Sequence, residues 1–203
     1  MCRRGAFAQV AFSAGGGLLF DGGRLGGFSD SGWDAVDGRW SEEMNVNTFG
    51  FGGFVFLDAE FAELSIAFMG GPARLNEEWE DGGDSGSWTE EGSFLALDFT
   101  LLGRLPFALG GLTAFPLFGV GYSVVLSASA DDYDFDDPGD FSTFRILLGF
   151  GGDLDIADNM FLRGSVLGYY RFAPTFFRDW ERLGGDAHGG FGVKIRAAIG
   201  FRF

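Results

Sequence analysis

Cysteine, histidine and lysine each occur once in this 203-residue sequence, and each scarcity argues against a class of site. Because Cys2 has no second cysteine to pair with, we expect neither a disulfide framework nor a thiolate metal site. A net charge of −15 leaves no basic stripe to meet phosphates, so we expect no nucleic-acid partner. His188 is the only imidazole, and no serine stands at a recognisable catalytic spacing from it. We therefore predict that the chain is not an enzyme and needs no cofactor.

Long apolar runs are also lacking. The sequence has no stretch of 18 or more apolar residues, so it predicts no transmembrane helix. Met1 and the next four residues lead directly into alternating sequence, without the features of a signal peptide. If the protein is exported, we expect that its targeting segment has been removed or lies upstream of this start. A lipidated Cys2 is the alternative for the N-terminus, but the apolar segment that should precede it is missing.

Glycine and phenylalanine are abundant, with 36 and 26 copies, and the aromatic content is 17%. That much apolar surface favours one folded domain over residues 1–203 rather than disorder. The clearest pattern lies at 191–203, where every odd position is apolar and every even position is small or charged. A period of two places the apolar set on one face of a strand. Thirteen residues reach roughly 40 Å, which is enough for a tilted strand to cross a bilayer.

Similar alternation recurs along the whole chain and predicts eight strands. They lie at about 6–15, 44–57, 62–68, 94–102, 113–128, 143–155, 161–172 and 191–203. Short and long connectors take turns between them, and the long ones span about 21–43, 70–91, 129–141 and 173–189. In an up-and-down barrel, this order puts every long loop at one end and every short turn at the other. The predicted fold is therefore all-β, an eight-stranded antiparallel up-and-down barrel.

Period two alone does not say which face is inside. A soluble barrel would turn the apolar face inward, and this ligand-binding alternative stays open at the level of the pattern. However, the other face consists mainly of Gly, Ala and Ser, which make a poor exterior in water. The narrow interior of eight strands suits such small residues with a few ion pairs, but not all the Phe and Leu. This packing argument favours an apolar face that points out into lipid, and hence a transmembrane β-barrel.

Three stretches resemble small eight-stranded outer-membrane β-barrels of the OmpA, OmpX and OmpW type. They are residues 116–122 (PLFGVGY), residues 159–164 (NMFLRG) and the strand that ends in Phe203. The resemblance implies the outer membrane of a Gram-negative-type bacterium, with the lipid bilayer and the outer-membrane assembly machinery as partners. It also implies that the terminal strand carries the assembly signal. The residues of that signal are Phe191, Val193, Ile195, Ile199, Phe201 and Phe203.

Charged residues on the small-residue face should lie in the lumen, layered by height. Glu63, Arg104, Asp153, Arg163 and Arg202 are predicted near the short-turn end, Asp98 and Arg196 at mid-height, and Arg145, Arg171 and Lys194 towards the loop end. Because buried charges need partners, we expect ion pairs that fill the lumen. The alternative is a narrow pore or ligand tunnel lined by the same groups, whose basic excess would favour anions.

Most of the carboxylates fall in the long connectors, and the densest run is residues 131–140. Its alternating aspartates indicate a possible weak cation-binding loop, although Asp137 stands where a calcium loop of the EF-hand type needs glycine. Mutual repulsion that keeps a solvated loop extended is the competing interpretation. The candidate ligands are Asp131, Asp132, Asp134, Asp136, Asp137 and Asp140.

The pattern supports two kinds of function. The first is a monomeric structural or adhesion-like barrel with a filled lumen, which contacts an extracellular partner through its acidic loops. The second is a narrow pore or a lateral-gate transporter for small solutes or hydrophobic molecules. Pro116, which breaks a backbone ladder near the start of the fifth strand, is compatible with a lateral opening but also simply with the end of a turn.

Overall fold

The computed structural model describes residues 12–34, 38–130, 133–134, 137–175, 178 and 185–203. Nearly all of these residues lie in β-strands. The strands are β1 (Phe12–Asp34), β2 (Gly38–Ala59), β3 (Ala62–Asp81), β4 (Asp84–Arg104), β5 (Phe107–Leu109), β6 (Leu112–Ala130), β7 (Tyr133–Asp134), β8 (Thr143–Ala157), β9 (Met160–Arg171) and β10 (Asp186–Arg202). A 3₁₀ helix, Pro138–Phe141, precedes β8. No helix among the described residues is long and apolar enough to cross a membrane.

Eight long strands close into a ring in the order β4-β3-β2-β1-β10-β9-β8-β6, and β6 pairs back onto β4. Every neighbouring pair in the ring is antiparallel. Two short strands, β5 and β7, extend the β6 edge outside the ring. Because the ring closes, its strands leave no free sheet edge along the shared height. The predicted eight-stranded antiparallel barrel is confirmed.

The apolar face of the strands points outward. On this face Phe51, Leu148 and Phe150 expose 67%, 69% and 72% of their surface. Alternate residues point into the lumen and are buried, as in β9, where buried and exposed positions follow each other strictly. The lumen also holds large apolar side chains, such as Phe161 and Leu167, both fully buried. The expectation of an interior with only small residues and ion pairs was therefore too narrow.

Two of the predicted long loops are not loops. The segments 21–43 and 70–91 continue the ladders of β1 with β2 and of β3 with β4 as far as their tips. Only one register shift, between Arg24 and Gly26, interrupts the first ladder. The prediction was wrong here because Gly, Ser and acidic residues in these segments resemble loop composition. Their alternating polar side chains are nevertheless compatible with a strand whose two faces both meet water.

The barrel wall is consequently uneven in height. Strands β1 to β4 have 20 to 23 residues, whereas β8 and β9 have 15 and 12. We call the projecting upper half of β1 to β4 the tall wall. It is built from 26–34, 38–47, 72–81 and 84–93. The predicted first segment overlaps β1 only from Phe12, and the rest of that segment lies outside the described residues.

Candidate functional site

Charged side chains in the lumen form two groups at different heights. The turn-side network lies towards the short turns and consists of Asp58, Glu63, Arg104, Asp153, Arg163 and Arg196. The mid-lumen network lies further up and consists of Asp21, Asp98, Arg145, Tyr169, Arg171 and Lys194. Both networks are almost wholly buried, with every member at most 8% exposed.

Arg163 is the centre of the turn-side network. Its Nε and Nη2 donate to the two carboxylate oxygens of Asp153 at 2.7 and 2.8 Å. Its Nη1 donates to Glu63 Oε2 at 2.8 Å, and its Nη2 lies 2.7 Å from Asp58 Oδ2. The remaining oxygen of Glu63 accepts from Arg196 Nη1 at 2.7 Å. Three cations and three carboxylates balance in this group, so the network carries no net charge.

Aromatic rings complete the surroundings of Arg163. Its guanidinium carbon lies 4.5 Å from the ring centroid of Phe56, 5.0 Å from that of Phe161 and 5.4 Å from that of Phe115. The face of an aromatic ring attracts a cation, and the attraction is stronger where water is absent. The rings therefore fill the lumen around the ion pairs instead of competing with them for space.

The mid-lumen network is organised around two aspartates. Asp21 accepts from Tyr169 Oη at 2.5 Å and from Arg145 Nη1 at 3.0 Å. Asp98 accepts from Lys194 Nζ at 2.9 Å and forms an ion pair with Arg145. Three cations, including Arg171, face these two carboxylates, so this network has one positive charge in excess among the described residues.

Nine of the ten charged residues predicted for the lumen lie in the two networks. The exception, Arg202, lies at the turn-end rim, where its Nη1 donates to Asp155 Oδ1 at 2.6 Å and both side chains are about one-third to one-half exposed. Sequence reasoning missed Asp21 and Asp58, because both were assigned to connectors. The alternation along the strand was the available signal. Asp21 directly follows the outward-facing Phe20, and Asp58 directly follows the outward-facing Leu57, so both aspartates should point into the lumen.

An apolar cavity of about 70 Å³ lies in the upper lumen. Its lining includes Val46, Phe94 and Val125, with Arg171 of the mid-lumen network and Glu90 of the tall wall. The cavity thus combines an apolar wall with one buried cation. Sequence reasoning did not predict it, because its lining combines predicted strand residues with residues of segments that were taken to be loops, such as Leu75 and Glu90.

The inner face of the tall wall alternates indoles with carboxylates. Glu42 is paired across the ladder with Trp79, and Glu77 is paired with Trp88. No register shift interrupts the β2–β3 and β3–β4 ladders, so these residues continue the lumen-facing side of the strands. Trp79 and Trp88 each remain 41% exposed. This face therefore offers flat aromatic surfaces beside negative charge.

Like charges lie close together on that face. Asp30 stands directly opposite Glu42 in the β1–β2 ladder, and Glu77 stands opposite Met44, the next inward residue of β2. Partial burial raises the pKa of the Glu42 carboxyl above its usual 4.5, and repulsion from Glu77 and Asp30 raises it further. A cation placed on this face would relieve that repulsion.

The candidate cation loop is only partly described. Asp131, Asp132 and Asp136 lie outside the described residues, and only the backbone of Asp134 is described. Asp137 caps the 3₁₀ helix, since its Oδ1 accepts from the backbone N–H of Gly139 at 3.1 Å. Within the part of the chain that the structure describes, no cluster of three or more His, Cys, Asp or Glu is arranged to hold a metal ion.

The proposed assembly-signal residues all lie on the outer face of β10 and just after it, where Phe191 and Phe203 are 72% and 83% exposed. The histidine lies on the tall side of the barrel, where His188 Nε2 is 2.8 Å from Arg24 Nη2 and 3.3 Å from Asn45 Oδ1. In these contacts it meets a cation and an amide, and neither is a nucleophile.

No protein-family model and no curated protein sequence matches the chain. Among solved structures, the outer-membrane protein OprG from Pseudomonas aeruginosa matches with a TM-score of 0.50, covering 96% of both chains at 10% identity. The chain has the fold of a small outer-membrane β-barrel. At this identity the likeness extends to the barrel's fold alone.

Two further structures resemble the barrel less closely. Ail of Yersinia pestis, solved with the heparin analogue sucrose octasulfate, has a TM-score of 0.35 at 14% identity and covers 93% of this chain and 99% of its own. The outer-membrane protease OmpT of Escherichia coli has a TM-score of 0.38 at 9% identity and covers 99% of each chain. At these scores neither likeness bears on the activity of the barrel.

Proposed function

We propose that this barrel spans the outer membrane of a Gram-negative-type bacterium and presents its tall wall outside the cell to a positively charged partner. The lumen is closed by its two ion-pair networks, so the role is one of surface interaction rather than passage. The observation that carries the interaction is the face of the tall wall, where Glu42 and Glu77 alternate with Trp79 and Trp88.

Membrane insertion is supported by the outward apolar belt. On β2 this belt runs from Phe49 to Leu57, roughly 30 Å along the strand and about 22 Å after a tilt near 40°, close to the apolar band of such barrels. A monomer in water rarely exposes apolar patches beyond a few hundred Å². The exposed face of β10 would carry the signal that the assembly machinery reads.

A gel measurement tests insertion. A folded transmembrane barrel in detergent resists SDS and changes mobility only after boiling, as expected from the resemblance to small outer-membrane barrels. Identical mobility before and after boiling, together with a monomer that stays soluble without detergent, would favour the soluble ligand-binding barrel instead.

Charge complementarity supports a cationic partner. The chain carries 29 acidic and 14 basic residues, and much of the acidic excess lies in the tall wall and the connectors. Guanidinium and ammonium groups bind to carboxylates and also stack on indole rings. An arginine-rich or lysine-rich segment of another surface protein therefore fits this face.

Fluorescence titration with an arginine-rich peptide tests this partner class, because Trp79 and Trp88 lie on the proposed face. We expect saturable quenching that weakens as salt is raised. Trp88→Ala and Glu77→Gln should each weaken binding several-fold. Asp158→Asn, which removes one carboxylate from the exposed turn at the opposite end, is the matched control and should leave binding unchanged. Equal weakening by Glu77→Gln and Asp158→Asn, with Trp88→Ala binding like the wild type, would point to net charge alone and would refute the site.

A narrow pore or lateral-gate transporter is the second candidate. The apolar cavity above the mid-lumen network favours it, because an enclosed space inside a barrel is where a small solute would rest. The single positive charge in excess in that network would favour anions.

A further inference from the structure

The upper lumen contains a buried guanidinium, that of Arg171, whose hydrogen-bond donors are only partly engaged. Arg171 is 4% exposed and lines the apolar cavity. Its Nη2 donates to Tyr169 Oη at 3.1 Å, and its Nη1 has only a long contact of 3.5 Å with Thr48 Oγ1. Its Nε has no hydrogen-bond partner in the described structure. A buried donor without a partner is unfavourable, so this guanidinium is prepared for an acceptor.

The carboxylate nearest to Arg171 is already engaged. Asp21 Oδ1 lies 3.7 Å from Arg171 Nη2, beyond hydrogen-bond distance, and accepts from Tyr169 instead. The other oxygen of Asp21 serves Arg145 at 3.0 Å and lies 3.5 Å from Lys194. The remaining aspartate of the network, Asp98, pairs with Arg145 and Lys194. Arg171 therefore has no carboxylate of its own among the described residues, and one added negative charge would balance the network.

The cavity beside Arg171 limits what can supply that charge. Its volume of about 70 Å³ restricts the occupant to a molecule of only a few heavy atoms. The walls are mainly apolar, formed in part by Val46, Phe94 and Val125. Glu90, the one carboxylate among the described lining residues, pairs with Leu75 in the tall wall, on the loop side of the cavity. An anion is therefore repelled at the loop side and attracted at the Arg171 side.

We propose that this cavity is a binding site for a short-chain aliphatic monocarboxylate. The carboxylate accepts from Arg171, and the alkyl chain lies among Val46, Phe94 and Val125. A strongly hydrated inorganic anion would lose more of its water than this mainly apolar wall can replace, whereas a carboxylate with two or three carbons fills both parts of the site. The site uses none of the Glu42, Glu77, Trp79 and Trp88 side chains of the proposed partner surface and has the opposite charge preference, so either proposal can fail alone.

Saturation-transfer NMR with propionate on the full chain in lipid nanodiscs tests the proposal. Propionate is water-soluble and enters lipid little, so signal from the membrane stays low. We expect a saturable signal for propionate and none for propionamide, which has nearly the same shape without the charge. Propionate is also the ligand in every comparison of variants. Arg171→Gln should weaken propionate binding at least tenfold, whereas Arg171→Lys should retain part of it.

Two further variants make the test specific. Ala128→Leu adds bulk to the cavity lining and leaves Arg171 in place, so it should also abolish binding. Arg74→Gln removes an exposed arginine of the tall wall and should change nothing. Heat-modifiable mobility checks that each variant is folded. If Arg171→Gln does not fold, the result for Ala128→Leu tests the proposal in its place. Propionate binding that does not saturate, that equals propionamide binding, or that survives Ala128→Leu would overturn the proposal.

Discussion

Replacing Arg163 with methionine should destabilise the barrel strongly, because this one side chain contacts three buried carboxylates. Methionine keeps apolar bulk for the surrounding rings but leaves Asp153, Glu63 and Asp58 without their shared cation. Removing one partner from a buried ion pair costs about 3–5 kcal/mol in the free energy of unfolding. Arg104 and Arg196 remain close to Asp58 and Glu63, so the loss should fall mainly on Asp153.

The matched control for this change is Arg202→Met. Arg202 also makes a short ion pair, 2.6 Å from Asp155, but both groups lie at the exposed rim. An exposed pair contributes about 0–1 kcal/mol, so this variant should unfold almost like the wild type. Urea unfolding in lipid vesicles, followed by tryptophan fluorescence, measures both free energies.

Adding Asp153→Asn to Arg163→Met sharpens the test. If the cost comes from an unpaired buried carboxylate, removing that carboxylate should restore part of the stability. An Arg163→Met variant that loses no more stability than Arg202→Met would refute the argument that buried ion pairs hold the turn-side lumen. A double variant less stable than Arg163→Met alone would show that Asp153 does not act through its pairing with Arg163.

Three other changes have distinct expected outcomes. Gly200→Ala should lower the free energy of unfolding by about 1–3 kcal/mol through overpacking, since its added carbon would lie 2.2 Å from the ring of buried Phe161. At the control position Gly164 an added carbon would meet nothing within 4 Å, so Gly164→Ala should change the same free energy little in the urea assay. Glu42→Gln should protect the tall wall from proteolysis at pH 7, because the folded state with a raised Glu42 pKa is less stable when this carboxyl is ionised. The protection should shrink as the pH falls through that raised pKa towards 4.5. Protection that persists at lower pH would contradict this cause. Phe203→Ala should lower the yield of membrane-inserted barrel, whereas Arg196→Ala should leave insertion largely intact; equal yields for Phe203→Ala and wild type would exclude the terminal phenylalanine as an assembly signal.

The strand count could be predicted because it follows from a period of two, and the direction of the apolar face could be predicted once the narrow interior was taken into account. In β9, for example, Arg163 and Ser165 alternate with Leu162 and Val166, so a single parity assigns the whole strand. Narrow barrels have no room for two apolar faces, and this geometric limit selected the outward direction.

The upper half of the barrel could not be predicted in the same way. In the tall wall carboxylates interrupt the apolar positions of the inner face, so hydrophobic alternation separates strand from loop poorly. The backbone pairing of Asp30 with Glu42 and of Glu77 with Trp88 reveals the sheet. Asp21 was not predicted as a lumen residue for the same reason, because its position in the lumen depends on β1 continuing past Phe20. The pairing partners within each network also depend on barrel shear, which strand parity does not determine.

The closed lumen is the central claim, and conductance across a planar lipid bilayer tests it most directly. Because two buried networks occupy the lumen, one of them with Arg163 held among three carboxylates, we expect no continuous path for ions through it. The wild-type barrel, shown to be inserted by its heat-modifiable mobility, should therefore give no stable conductance steps in 1 M KCl. Reproducible, ohmic steps from the wild-type protein would contradict the filled lumen and favour the pore.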